Sequence, residues 1–291
     1  MSSQKVKWRC CMNWNIICDS SIDLFKPEHD AHNIRFATVP FTLTVGNTSF
    51  VDDENLDKPT LLREMKDYSG ASTSACPSTG AWLDEFEKGG NVIAITITSG
   101  LSGSYGSACA AKELLLEREP DRKIYVIDSL STGAESILIL RKLYELIAQG
   151  LDFEAVIEGV EEFKKTSRTV FVLCCFDNLV KNGRMSKLKG FVANKLGFWG
   201  IGIASEIGTI EMKGVARGQK KALDIIMADI RERCPDVKSL VIDHCYNEEF
   251  AGELAALVRA EWPDCDISTL PTRGLCSYYA EKGGLIIGYC P

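Results

Sequence analysis

Between the apolar run Asn91 to Ile97 and a segment that reads as a helix lies Thr98-Ser99-Gly100-Leu101-Ser102-Gly103-Ser104. Glycine lets the backbone approach a ligand closely, and unpaired amides at a helix start attract an anion. The serine hydroxyls add further donors. Such a loop suits a carboxylate or a phosphate, and it equally suits a plain Gly/Ser turn with a capping serine. It has neither the lysine of a phosphate-cradling P-loop nor the G-x-G-x-x-G spacing after the first strand, which argues against a nucleotide. A second hydroxyl run, Ser72-Thr73-Ser74 ahead of Pro77 and Ser78, has the donors to serve the same anion, or to form an ST-turn and a helix cap. In Asn182-Gly183-Arg184 a lone guanidinium can grip a carboxylate through two bonds or sit in solvent. The carboxylate of Asp19, ahead of Ser20-Ser21, suits a metal, a ribose or the cap of the next helix.

Catalytic readings of the same residues are weaker. Ser99 as the nucleophile of a hydrolase acting on a small acyl ester would need a base, yet there is no G-x-S-x-G elbow and the spacing ties none of His29, His32 and His244 to it. A phosphoryl-transfer reading has only Asp19 and Asp128 to offer as metal-binding acids. Neither a resident metal nor another cofactor is expected, because His29 and His32 form the sole histidine pair and lie in a stretch that reads as a solvated loop.

The elements that must position these loops alternate. Trp14 to Cys18, "NVIAITI" (91–97), "KIYVIDS" (123–129) and "TVFVLCC" (169–175) are short apolar runs suited to buried strands. Asp57 and Ser78 are placed to cap helices, and "SILILRKLYELIAQG" (136–150) is amphipathic and stops at a glycine. Gly46-Asn47 reads as the turn of a hairpin made from residues 34–51, Gly208-Thr209 as the turn of another, and residues 71–78 as a loop of small residues. The rhythm predicts an N-terminal parallel-sheet α/β lobe over residues 12–168 and a C-terminal α/β lobe over 169–291.

Composition narrows the class. The chain has 291 residues, 45% of them hydrophobic and 25% charged, with a net charge of −7. That balance argues against nucleic acid and against an anionic membrane surface. No apolar run reaches the length of a membrane span, and the first dozen residues lack the apolar stretch of a signal peptide, so a cytoplasmic location is expected. The twelve cysteines are scattered, with no C-x-x-C, and read as reduced thiols packed as small hydrophobes.

Eight segments in order resemble the DegV family: "IICDSSIDL" (16–24), "VPFTLTVGNTSFVDD" (39–53), "TSACPSTGAW" (73–82), "TSGLSGSYGSA" (98–108), "VIDSLSTGAE" (126–135), "LVKNGRMSK" (179–187), "VARGQKKAL" (215–223) and "GGLIIGY" (283–289). The resemblance runs from about residue 14 to the end. It implies a two-domain α/β fold that binds a long-chain fatty acid between its lobes, carries out no chemistry itself, and presents the carboxylate to a partner fatty acid kinase, whose acyl phosphate feeds phospholipid synthesis. Carried onto this sequence, the family's carboxylate-binding positions fall on Ser74, Ser99, Ser102 with Gly103, and Arg184, while Arg217 matches its kinase-facing surface. Counting back from Gly283-Gly284, Tyr279 stands where the family often has a histidine; a tyrosine donates one hydrogen bond but cannot carry positive charge. Ala75 replaces the family's second loop hydroxyl. The segments "SILIL" (136–140) and "FVANKLGFWGIGI" (191–203) are the expected tunnel walls.

Overall fold

The computed structural model describes residues 13–28, 31–185 and 197–291. The first half runs β1 (Trp14–Asp19), β2 (Ile34–Val39), β3 (Thr42–Val45), β4 (Thr48–Val51), α1 (Lys58–Asp67), β5 (Thr73–Ala75), α2 (Thr79–Phe86), β6 (Asn91–Thr96), α3 (Ser104–Arg118), β7 (Ile124–Asp128), α4 (Ala134–Ala148) and α5 (Phe153–Lys164). The second half runs β8 (Arg168–Leu173), α6 (Asp177–Lys181), β9 (Phe198–Ala204), β10 (Ile210–Arg217), α7 (Gln219–Arg233), β11 (Ser239–His244), α8 (Glu248–Glu261), β12 (Asp266–Pro271), α9 (Gly274–Ala280) and β13 (Leu285–Cys290). The expected α/β class holds. A parallel sheet has the order β2-β1-β6-β7, a mixed sheet the order β10-β9-β8-β13-β11-β12, and a small antiparallel sheet the order β4-β3-β5.

Strand alternation builds the layers. On β1, β6 and β8, successive side chains point to opposite faces, and both faces are apolar. Ile17, Val92 and Ala94 pack against Trp82 and Phe86 of α2 and Ala108 and Leu115 of α3. Ile16, Ile93 and Ile95 instead meet α4, and so do Phe171 and Ile286 of the mixed sheet. The far face of the mixed sheet, with Val170, Val172 and Ile287, is closed by Ile226 of α7 and Phe250 and Leu254 of α8. Helix α4 thus lies between the two large sheets, and Ala134 to Leu140 are buried on every side, as expected of a helix covered all round. Its start crosses β13 at Gly288, where an added Cβ would lie 2.5 Å from the Glu135 nitrogen.

Two local readings change. The stretch 34–45 is broken at Pro40: β2 joins the parallel sheet and only β3 forms the Gly46-Asn47 hairpin with β4. Proline has no amide for the ladder and resists continuation of a strand. Thr73–Ala75, read as loop, adds to β3 as an edge strand. Helix α4, which precedes residue 168, packs on β8, β11 and β13 of the second sheet. The caps at Asp57 and Ser78 form as expected, accepting from the amides of Thr60 and Ala81. Among the described residues no helix is long and apolar enough to cross a membrane, and Cys18, Cys76, Cys174, Cys245 and Cys276 are among the free thiols.

Candidate functional site

The loops at the carboxyl ends of β6 and β7, the inner face of β8 and β13, the β9–β10 hairpin and helix α9 enclose a cavity of about 820 Å³, counted to its opening in solvent. Small-molecule sites bury most of their ligand against apolar walls of this kind. Leu101, Leu130, Phe171, Leu173, Leu275 and Ile286 are among the apolar residues of the cavity wall. The expected walls differ: residues 136–140 are core rather than lining, residues 198–203 do not reach the cavity, and 191–196 lie outside the described residues.

Polar groups gather where β5, α6 and α9 meet. Ser74, on edge strand β5, has its hydroxyl 2.8 Å from the phenol oxygen of Tyr279 on α9. Arg184, just past α6, donates from Nε to the Leu101 carbonyl at 3.2 Å and from Nη1 to the Asn182 carbonyl at 2.8 Å. Its Nη2 has no hydrogen-bond partner among the described residues, and it is the one charged side chain among the described residues lining the cavity. Burial pushes the Tyr279 phenol above its usual range, with the Ser74 hydroxyl bond and the Arg184 charge acting against the rise, so Tyr279 remains a neutral donor at physiological pH. A neutral donor, a hydroxyl and a guanidinium around an apolar chamber suit a single carboxylate, which would be costly to bury without donors.

A second set of residues holds α9 in place. Asp52, just after β4, accepts from the amides of Gly274 at 2.8 Å and Leu275 at 2.9 Å, and Asp23 accepts from the Arg273 amide at 2.5 Å. Both satisfy amides that a helix start leaves open. Tyr278 bonds Ser72 at 2.6 Å and accepts from Asn182 at 3.1 Å, which ties β5, α6 and α9 together behind the site. Sequence reading missed α9 because "GLCSYYA" has no polar face, and missed Asp52 because a cap supplied by a distant strand leaves no local spacing.

The expected site residues divide. Ser74, Ser102, Arg184 and Tyr279 line the cavity; Gly103 does not, although an added Cβ there would lie 3.6 Å from Cys76. Ser99 is exposed, donates its amide to Asp128 Oδ1 at 3.0 Å, and is not part of the wall. The loop is turned so that its neighbours Ile97, Thr98 and Leu101 face the cavity. Asp19 sets that turn: it accepts from the hydroxyls of Ser21 at 2.5 Å and Ser104 at 2.6 Å and from the amides of Ile97 at 2.9 Å and Ser21 at 3.1 Å. It anchors the loop and has no coordination left for a metal or ribose. Arg217 is exposed at the end of β10. Of the histidines, His244 is buried at the end of β11 and His32 precedes β2, and neither lines the cavity; His29 lies outside the described residues.

The family model described as "Uncharacterised protein, DegV family" matches residues 13–291. The chain belongs to the DegV family. A DegV domain-containing protein of Streptococcus pneumoniae is 44% identical over 278 residues, which cover 96% of this chain and 99% of that one. Among solved structures, the Streptococcus pneumoniae fatty acid kinase B3 protein loaded with linoleic acid superposes with a TM-score of 0.93 at 43% identity, covering 96% and 99% of the two chains. A DegV family protein from Eubacterium eligens loaded with heptadecanoic acid superposes at 0.90 with 35% identity, covering 95% and 99%. This DegV chain therefore shares its fold with relatives that carry long acyl chains.

Proposed function

We propose that this DegV protein binds one long-chain fatty acid in the cavity between its sheets and presents the carboxylate to a fatty acid kinase. The observation that carries this reading is the cavity itself: apolar walls with one guanidinium, Arg184, beside the Ser74–Tyr279 hydroxyl pair at a single end. The carboxylate sits against Ser74, Tyr279, Ser102 and Nη2 of Arg184, and the chain runs along the apolar wall. Each methylene taken from water contributes about 0.8 kcal/mol, which offsets the cost of ordering the chain. The protein holds and orients the carboxylate, while phosphoryl transfer belongs to the kinase, for which exposed Arg217 offers a contact. Free thiols suit a reducing compartment, the cytoplasm.

Denaturation of protein purified from cells, followed by solvent extraction and mass spectrometry, is expected to release a long-chain fatty acid at close to one per chain. Repeated preparations without lipid, together with no binding of added fatty acid, would refute the reading. Within it, Tyr279→Phe and Arg184→Ala each weaken binding by roughly 1–3 kcal/mol, the cost of leaving a buried carboxylate short of a partner. The hydrolase reading has no comparable support, because Ser99 is exposed and neither described histidine, His32 or His244, lines the cavity.

A further inference from the structure

The cavity has a direction. On β8 the inward-facing side chains are Thr169, Phe171 and Leu173, and all three line it. Alternate residues on a strand are about 6.6 Å apart, so these three span about 13 Å of wall. The chain then enters α6, whose Leu179 continues the lining, and reaches Arg184. The carboxylate cluster thus stands at the Leu173 end and Thr169 at the opposite end.

At that far end the wall changes character. Thr169 donates its hydroxyl to Glu135 Oε2 at 2.5 Å, and Ser167 donates to Oε1 at 2.6 Å. The Ser131 oxygen is 2.6 Å from that of Thr169. Thr169 has a single proton, given to Glu135, so Ser131 donates to Thr169. The chain of bonds is Ser131 to Thr169 to Glu135, with Ser167 closing from the other side; all four residues are buried. It joins the loop after β7, the first turn of α4 and the start of β8. Beyond it lies a polar groove lined by Glu161, Lys164, Arg168 and Arg233. Leu130, Thr169 and Ala204 line both the cavity and this groove, so they form the partition between them.

We infer that the Ser131–Thr169–Glu135 chain, with Leu130 and Ala204, is the stop that sets the longest acyl chain the cavity accepts. A hydrocarbon end cannot replace the bonds that hold the partition, and opening it would strand a buried carboxylate and two hydroxyls. Thr169 and Ala204 are therefore specificity-determining residues remote from the carboxylate. The inference rests on the fatty-acid reading above.

The test is affinity against chain length for saturated fatty acids of about 12 to about 22 carbons, where each methylene buried in the cavity adds roughly fourfold. In the wild type the rise stops at the length whose methyl end meets the partition. Thr169→Ala moves the break to longer chains, and an acid with two more buried methylenes gains roughly fifteenfold over wild type. Thr169→Ser, which keeps the hydroxyl chain, leaves the break nearer its wild-type place. Ala204→Leu, on the neighbouring strand β9 beside Thr169, moves it to shorter chains and supplies the test should Thr169→Ala fail to fold. A break unmoved by both Thr169→Ala and Ala204→Leu overturns the inference while leaving the fatty-acid reading intact. An absence of binding at every length in the wild type defeats that reading instead.

Discussion

Asp19 and Asp23 leave the same end of β1 and are both buried, but their surroundings are opposite. Asp19 is met by two hydroxyls and two amides, one of each on Ser21 and the others from Ser104 and Ile97. Asp23 accepts from the Arg273 amide, and its Oδ2 faces a second buried acid, Asp243 of β11. An added Cβ on Gly133 would lie 3.2 Å from Asp23 Oδ2 and 2.9 Å from Asp243 Oδ2, so the two oxygens converge on one point. Asp243 has no hydrogen-bond donor among the described residues. Two acids meeting in the interior cannot both ionise and must share a proton. Burial raises Asp23 to about 6, with the Arg273 amide acting against the rise. Burial, then the neighbouring Asp23, raises Asp243 well above the carboxylate range. Around the pair, Asp52 adds to the rise on Asp23, Cys276 offers it a hydrogen bond, and Arg141 of α4 partly offsets the rise on Asp243. One site is a finished anchor within the first lobe. The other is a proton-dependent join between the first strand's loop and the second sheet.

The comparison can be broken experimentally. The largest effect is expected for Asp19→Ala, which strands two hydroxyls and two amides in the interior. A loss of roughly 3 kcal/mol or more in urea unfolding follows from removing the acceptor of several buried donors at once. Next comes Asp243→Asn, whose effect depends on pH. Asp23 titrates higher in the folded than in the unfolded chain, so the stability it contributes is full below about pH 4 and is lost as pH rises through about 6. Asparagine can donate to Asp23 without sharing a proton. The stability difference between Asp243→Asn and wild type is therefore expected to move in favour of the variant by roughly 2 kcal/mol between about pH 4 and pH 8. A pH-independent difference would mean that the pair is neutralised by something other than a proton. Ser104→Ala is smaller, roughly 1–2 kcal/mol, because Asp19 keeps three donors. Smallest is Ser99→Ala, expected to change both stability and fatty-acid affinity by less than about 0.5 kcal/mol, since its side chain is exposed and off the cavity wall. Affinity measured by calorimetry on that variant decides whether the loop acts through Ser99 or through the residues that Asp19 turns inward.

Much of this arrangement could be read from local pattern. Apolar runs marked β1, β6, β7 and β8, and Asp57 and Ser78 marked their helices, because burial on both faces and capping are properties of a few adjacent residues. Ser74, Arg184 and Tyr279 were legible as members of motifs, since each stands at a fixed offset from Pro77, Gly183 or Gly283-Gly284. Ser99 shows the limit of that reasoning. A run of hydroxyls announces donors without saying which of them turn inward; here the Ile97 amide and the Ser104 hydroxyl tie both ends of the loop to Asp19, and Thr98, Leu101 and Ser102 line the cavity instead. Pro40 carried a usable signal, the strand break between β2 and β3. The partition at Thr169 carried none, because Ser131, Glu135 and Thr169 belong to three different elements.

Taken alone, the residue order determined the α/β class, the family, the hydroxyl loops and the polar residues available to hold one carboxylate, since these depend on residue type and near spacing. Only the tertiary structure decided which hydroxyls face the cavity, how α9 is capped by Asp52, where the cavity ends and that Asp23 meets Asp243. Each of those is a contact between segments far apart in the chain, and no local periodicity encodes the packing that closes them.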